Sequence, residues 1–238
     1  MTEKEIHHRI IKNRAAFYNC STETFQAEGN TYRIREFEEG PHHIYITKLY
    51  KHYFITCGSK LADSLKALNK TITLEFLKEH YPSLKLVDSY PHYIYKKKSI
   101  ESKPLPAGYD IRAMESSFHP PLQKFLDACT PEDIEDALIE LDDPDDEIRM
   151  VFFGDMPVAY AGYRLWDNGL GDVGILTLPG HRKMGLGIAA VAEATKACLE
   201  NGYIPFYRTS RENRGSQAIA EGLGYEFIWR TYECNCTG

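Results

Sequence analysis

No stretch of this sequence approaches the ~20 consecutive apolar residues that a membrane-spanning helix needs, so no membrane partner is expected. A disulfide scaffold is excluded as well. The six cysteines, at positions 20, 57, 129, 198, 234 and 236, are too sparse to staple 238 residues, and no Cys-x-x-Cys occurs. Cys234 and Cys236 form a lone Cys-x-Cys without a paired His or Cys cluster, so no metal site is expected there. Basic charge is short too. Lys and Arg number 28 against 34 Asp and Glu, a formal net charge of -6, which offers no basic face for nucleic acid. Met1 is followed by Glu3, Lys4 and Glu5 rather than by a basic segment and an apolar run. No secretory signal is therefore expected, and the chain reads as cytoplasmic. What remains, 43% hydrophobic and 26% charged, is the composition of a folded chain with a core.

The clearest break is Ser-Lys-Pro-Leu-Pro-Ala over 102–107. Two prolines two apart hold the backbone extended and remove two amide donors, so neither helix nor central strand runs through. The expected domains are an α+β unit over 1–103 and a second domain over 104–238. In the first, Ile6, Ile10, Ala15 and Phe17 give 4–17 a helical stripe. Residues 32–38, 43–49 and 51–57 read as strands. Ser59 offers a cap to a helix over 60–68, Thr71 or Thr73 caps another that stops before Pro82, and 90–96 closes the unit as a strand. His7-His8 and His42-His43 are adjacent pairs, whose side chains diverge in either a helix or a strand. Surface or half-buried histidines are expected, not metal ligands.

The second domain begins with a strand at 109–113 and a helix at 122–129, and Thr130-Pro131-Glu132-Asp133 is a strong helix start. Residues 149–153 and 157–165 form a hairpin, and 172–178 the next strand. A helix over 186–199 stops at Asn201-Gly202. Strand 203–209, helix 213–221 and strand 225–232 follow. The fold class expected is α/β, with a mixed sheet. From Glu132 to Glu147 there are ten acids and no Lys or Arg, among them Asp142, Asp143, Asp145 and Asp146. Such a run is a solvated helix end, or a negative funnel for an ammonium-bearing substrate. Tyr160, Tyr163 and Trp166 on the adjoining strand read as core or as the wall of a site.

Chemistry concentrates at 178–188, Leu-Pro-Gly-His-Arg-Lys-Met-Gly-Leu-Gly-Ile, which joins a strand to an alanine-rich helix. Gly185 and Gly187 let backbone N–H groups approach a ligand, and the first amides of the helix join them in a concavity suited to a diphosphate. Arg182 and Lys183 place positive charge at its rim. The alternative is a glycine-eased turn into a packed helix.

Pro179 to Gly187 resembles the GNAT acetyltransferase signature R/Q-x-x-G-x-G/A after a strand. A second signature, Asn followed by a helix ending in Gly-Phe or Gly-Tyr, corresponds to Asn213, Ser216 and Gly224-Tyr225. The resemblance covers roughly 106–238, and finer wording is similar to the bacterial branch that includes zwittermicin-resistance acetyltransferases. It implies a GNAT fold and acetyl-coenzyme A as co-substrate, with no metal. The coenzyme would be held by Leu176, Leu178, Arg182, Lys183, Met184, Gly185, Leu186, Gly187, Ile188, Asn213 and Ser216. A backbone amide near Leu178 would polarise the thioester. Pro205 would sit where the following strand splays to admit pantetheine, or simply on an edge strand.

In the family a carboxylate on the strand before the loop often serves as base, and Asp172, the one acid there, is that candidate or else a turn or surface carboxylate; His181 has a suitable ionisation range but lies beside the phosphate loop. Many GNAT enzymes carry a tyrosine acid where this chain has Ala220, so Tyr225, Tyr207 or water is left to protonate the thiolate. The expected function is N-acetylation of a small-molecule primary amine. The alternatives are acylation of a protein or peptide amine, or acetyl-CoA binding without turnover. The N-terminal unit reads equally as a degenerate GNAT-like half, a dimerisation piece or a substrate lid, so a homodimer stays open.

Overall fold

A computed structural model describes residues 1–114, 119–137 and 147–236. In chain order its elements are α1 (Glu3–Tyr18), β1 (Gly29–Ile34), β2 (His43–Leu49), β3 (His52–Cys57), α2 (Ser59–Ala67), α3 (Leu74–His80) and β4 (Lys85–Ile94). Then come β5 (Tyr109–Met114), α4 (His119–Leu126), α5 (Pro131–Ala137), β6 (Glu147–Phe153), β7 (Met156–Trp166) and β8 (Leu170–Thr177). The chain continues through α6 (Leu186–Glu200), β9 (Ile204–Arg208), α7 (Arg214–Leu223) and β10 (Glu226–Asn235). Most of the acidic run, 138–146, lies outside the described residues, so the funnel reading has no structural counterpart here. No described helix is long and apolar enough to cross a membrane.

The chain divides into two compact units, each discontinuous in sequence. One comprises Met1–Ile6, Tyr93–Arg208 and Arg214–Glu226; the other comprises His7–His92, Thr209–Asn213 and Phe227–Gly238. The boundary expected at 103/104 does not coincide with this division. A single proline-marked cut cannot reveal that a C-terminal strand returns to the N-terminal unit.

In that N-terminal unit the strands run β1-β3-β2-β10-β4. β1 and β3 are parallel, and β2 pairs antiparallel with both β3 and β10. Ile44, Ile46, Ile55, Leu61, Leu65 and Leu77 fill its core. Cys57, Cys234 and Cys236 lie in the same core, and burial pushes their thiols up to about 12, 11 and 12. These are packing residues, not accessible nucleophiles. Two local expectations shift. Phe17 is 42% exposed, and the Arg33 guanidinium lies 4.1 Å from its ring centroid, while Ile11 and Tyr18 complete the buried stripe instead. Ser59 does not cap α2; its own N–H donates to the Glu36 carboxylate at 2.9 Å, a cap supplied from 23 residues away. Thr73 behaves as expected, its hydroxyl accepting from the Phe76 N–H at 3.0 Å.

The other unit orders its strands β9-β8-β7-β6-β5, antiparallel from β5 to β8 and parallel between β8 and β9. Helices cover both faces. A Cβ built on Gly171 would lie 2.5 Å from Cys198 Sγ of α6, and one on Gly174 would lie 3.8 Å from the Ala137 carbonyl of α5. The two glycines are three apart, so they face opposite sides of the sheet. Small residues let α6 lie close: Ala189, Ala190, Ala192, Ala194 and Ala197 are all buried. Tyr160 and Tyr163 are fully buried core residues, which decides their reading in favour of packing.

Candidate active site

The loop after β8 starts as a 3₁₀ turn, Pro179–His181, closed by His181 N–H to the Leu178 carbonyl at 2.9 Å. Lys183 and Gly185 then adopt left-handed backbone, with φ of 65° and 81°. Gly185 is the residue before α6 and has no side chain to cap it. The first-turn amides of Leu186, Gly187 and Ile188 therefore lack both intrahelical acceptors and a side-chain cap. Gly187 serves differently. A Cβ there would lie 3.1 Å from Ile219 Cδ1, 3.4 Å from Thr177 Oγ1 and 3.7 Å from Ile175 Cγ1, so its hydrogen is what lets α6 sit against β8 and α7.

Beside this helix end the sheet opens. The parallel register of β8 and β9 runs Leu170↔Ile204, Gly171↔Pro205 and Asp172↔Phe206 and then stops, leaving 173–177 paired with β7 alone. Leu178 N–H donates to the Val158 carbonyl at 2.9 Å. Amides of an antiparallel strand alternate between its two sides, so this bond fixes the phase. The amides of Leu176 and Leu178 serve the ladder to β7, and those of Ile175 and Thr177 face the splay. The Leu176 and Leu178 amides, expected to face a ligand, are thus turned to β7, because alternation in sequence does not say which phase bonds to which neighbour. Pro205 is not at the splay either. It lies inside the paired stretch, and its carbonyl accepts from the Tyr95 N–H at 2.9 Å, so its missing donor faces the Tyr95 side.

Arg182 was expected to lend charge to the rim. Its Nη2 instead donates to both Asp133 oxygens, at 2.7 and 2.8 Å, and its Nε to the Thr177 carbonyl at 2.9 Å. Arg182 braces the loop between β8 and α5, while Lys183 and the 42%-exposed Met184 line the outside. α5 itself begins as its sequence implies, with the Asp133 N–H donating to Thr130 Oγ1 at 3.2 Å. His181 Nδ1 is 2.9 Å from the Tyr109 hydroxyl.

Residues 154–234 match the family model for GNAT acetyltransferase. This segment is a GNAT acetyltransferase domain. Solved structures share the fold over more of the chain. A GCN5-related N-acetyltransferase from Kribbella flavida is 22% identical with a TM-score of 0.51, covering 79% of this chain and 69% of its own. An acetyltransferase of the GNAT family from Colwellia psychrerythraea is 14% identical, with a TM-score of 0.55 over 83% of this chain and 66% of that one. A GCN5-related N-acetyltransferase-like protein from Streptococcus suis is 16% identical with a TM-score of 0.51, and it covers 95% of this chain and 98% of its own. Among curated proteins none matches.

The helix end of the GNAT domain fits a coenzyme diphosphate on an observation of its own: a Cβ built on Gly185 meets no atom within 4 Å, so backbone stands open where a side chain would otherwise cover it. Among the described residues no three His, Cys, Asp or Glu come together to hold a metal ion.

Further along the GNAT domain, Tyr225 departs from its expected role. It is 4% exposed, its hydroxyl lies 2.7 Å from Thr195 Oγ1, and burial raises its ionisation well above the ordinary tyrosine range. Such a hydroxyl cannot reach a leaving thiolate unless the core opens. Tyr207 is likewise enclosed, 2.7 Å from Ser216 Oγ, with its ionisation raised by burial. That contact also accounts for one face of Ser216. Ala220 is fully buried. Asn213, one residue before α7, turns its N–H to Ser210 O and Oγ, both at 3.3 Å. Replacing Tyr225 with phenylalanine should lower stability by about 1 kcal/mol, the net worth of one buried hydrogen bond. At this chain length that is a fall of a few degrees, roughly 2–4 °C, in thermal midpoint. Turnover at lower temperature should be unchanged, and a large drop in kcat would restore the catalytic role.

Asp172, the expected base, lies on β8 with its carboxylate 12% exposed and Oδ2 accepting from Arg208 Nε at 2.9 Å. Arg208 lies 5.2 Å from the Trp166 ring centroid, and Trp166 lies 5.1 Å from Phe206. Sequence reasoning missed Arg208 and the Asp133 brace. The available signal for Arg208 was its spacing: two residues beyond Phe206, it must share that residue's face of the strand.

Proposed function

We propose that the chain transfers an acetyl group from acetyl-coenzyme A to the primary amine of a small molecule. The observation that carries this is the uncapped N-terminus of α6 opening beside a β8–β9 splay. One half of that arrangement suits a diphosphate and the other an extended pantetheine arm. The amides of Leu186, Gly187 and Ile188 would hold the diphosphate, helped by the positive end of the helix dipole. When bound, the coenzyme supplies an activated acetyl group as a thioester. The Ile175 N–H, turned into the splay by ladder phase, is the donor best placed to receive negative charge on a carbonyl oxygen.

The amine must be neutral to attack, and no second carboxylate lies on β8. Asp172 already holds Arg208, so its first effect is on that guanidinium, and its role here is positioning. Asp172→Asn should raise the acceptor KM severalfold and leave the pH dependence of kcat unaltered. A base would behave otherwise: its loss costs on the order of 100-fold or more in rate and flattens the alkaline rise. A pH–rate profile of the variant decides between them.

One observation favours a different reading, acetyl-CoA binding without turnover: Tyr225 and Tyr207 are buried, and Ala220 replaces the usual acid. Coenzyme A thiolate is a modest base and can leave without a strong acid, so this does not outweigh the site geometry. Calorimetry with acetyl-CoA, followed by thiol release across a panel of amines, tests both readings. Absence of binding ends the proposal, and tight binding with no turnover by any amine transfers it to the alternative.

A further inference from the structure

We infer that Arg208 is a carboxylate-recognition residue at the mouth of the splay, and that the acceptor amine carries a carboxylate. This rests on the acetyltransfer reading and names its substrate class.

β9 parts from β8 after Asp172↔Phe206, and Arg208 follows two residues on, projecting from the same face as Phe206. Its guanidinium is fixed on two sides. The plane lies against Trp166, at 5.2 Å from the ring centroid, and Nε donates to Asp172 Oδ2 at 2.9 Å. Trp166 is itself backed by Phe206. Nη1 and Nη2 make no hydrogen bond among the described residues, and the side chain is 40% exposed. An ordinary surface arginine loses rotamer freedom when it grips an anion; this one has already lost most of it.

The open end of the fork presents two N–H groups side by side, matching the two oxygens of a carboxylate. Asp172 sets the local charge. Its own carboxylate neutralises the pair, so the pull on an anion is that of a short dipole whose positive end is the Nη edge, and the fork geometry, not net charge, selects a carboxylate. Distance sets the size. Ile175 lies three residues along β8 from Asp172, roughly 10 Å of strand, so a carboxylate at Arg208 and an amine near the Ile175 N–H are bridged by a molecule of amino-acid dimensions.

The test compares L-amino acids with their carboxamides as acceptors, using acetyl-CoA and thiol release, in the wild type, Arg208→Gln and Arg208→Lys. The acids should exceed the amides in kcat/KM by at least about 10-fold, as expected for a charge-assisted pair. That ratio should fall towards about one in R208Q, with R208K between, since it keeps the charge and loses the fork. Equal use of acids and amides by the wild type, or a ratio that survives in R208Q, overturns the inference and leaves acetyltransfer standing. If no amine is turned over although acetyl-CoA binds, the acetyltransfer reading fails. The recognition claim is then decided by calorimetry of N-acetyl amino acids against their amides. Acid-selective binding lost in R208Q supports it, and no binding of the acids overturns it. Should R208Q melt below assay temperature, R208K carries the comparison.

Discussion

Gly185→Val should weaken acetyl-CoA binding by about 10- to 100-fold while the protein keeps its fold. The residue sits at φ 81° and ψ 2°, where any L side chain is strained and a β-branched one most of all. A cost of about 1–3 kcal/mol is expected for holding such a conformation, and the loop relieves it by turning the peptide. That turn misdirects the amides meant to converge on the diphosphate. A clash with the protein's own atoms is not the cause, because a Cβ at this position meets none within 4 Å. Asparagine tolerates left-handed backbone, so Gly185→Asn should retain most of the affinity. Calorimetric Kd values for the pair are the check; equal losses in both variants would mean that bulk, not backbone, is what the site rejects.

Gly187→Val should act on stability first. Its Cβ would come within 3.1 Å of Ile219 Cδ1 and 3.4 Å of Thr177 Oγ1, closer than packed atoms tolerate without movement. Overpacking of this kind costs typically about 1–3 kcal/mol, here by pressing α6 away from β8 and α7. The thermal midpoint should fall by several degrees, roughly 2–4 °C per kcal/mol at this size. Coenzyme affinity should fall as well, because the helix end moves with the helix. A variant with an unchanged melt would show that Ile219 yields freely, and the packing role of Gly187 would be wrong. Two glycines that look equivalent in Gly-Leu-Gly thus fail by different routes, one through dihedral angle and one through volume.

The helix-forming and strand-forming segments of the second half of the chain were legible because their punctuation is strong. Thr130-Pro131 opens α5, Asn201-Gly202 closes α6, and β6, β7, β8 and β9 all fall within a few residues of the segments read from alternation. The family match over 154–234 was legible through Arg182, Gly185 and Gly187 at fixed spacing. Other features depend on information that no local window holds. The phase of the β8 ladder is decided by Val158, twenty residues before Leu178. Arg182 is diverted by Asp133, 49 residues away, and Asp172 by Arg208, 36 residues away. In the last two cases a side chain with an obvious local use found a stronger partner across the fold. The burial of Tyr225 illustrates the same limit: Gly-Tyr marks the end of α7, but only packing against Thr195 tells whether the hydroxyl meets solvent.

The pairing of β2 with β10 has a consequence for how the polypeptide is made. Thr47 and Thr231 hydroxyls meet at 2.8 Å across a separation of 184 residues. While the ribosome is still translating the segment between β3 and β10, the inner edge of β2 has no partner, and its carbonyls and amides are open to whatever strand arrives first. Completion of the N-terminal sheet waits until β10 has been synthesised, a long-range closure of the kind that folds slowly and invites misassociation. A fragment lacking β10 would keep every glycine of the loop between β8 and α6 and still leave that edge uncovered.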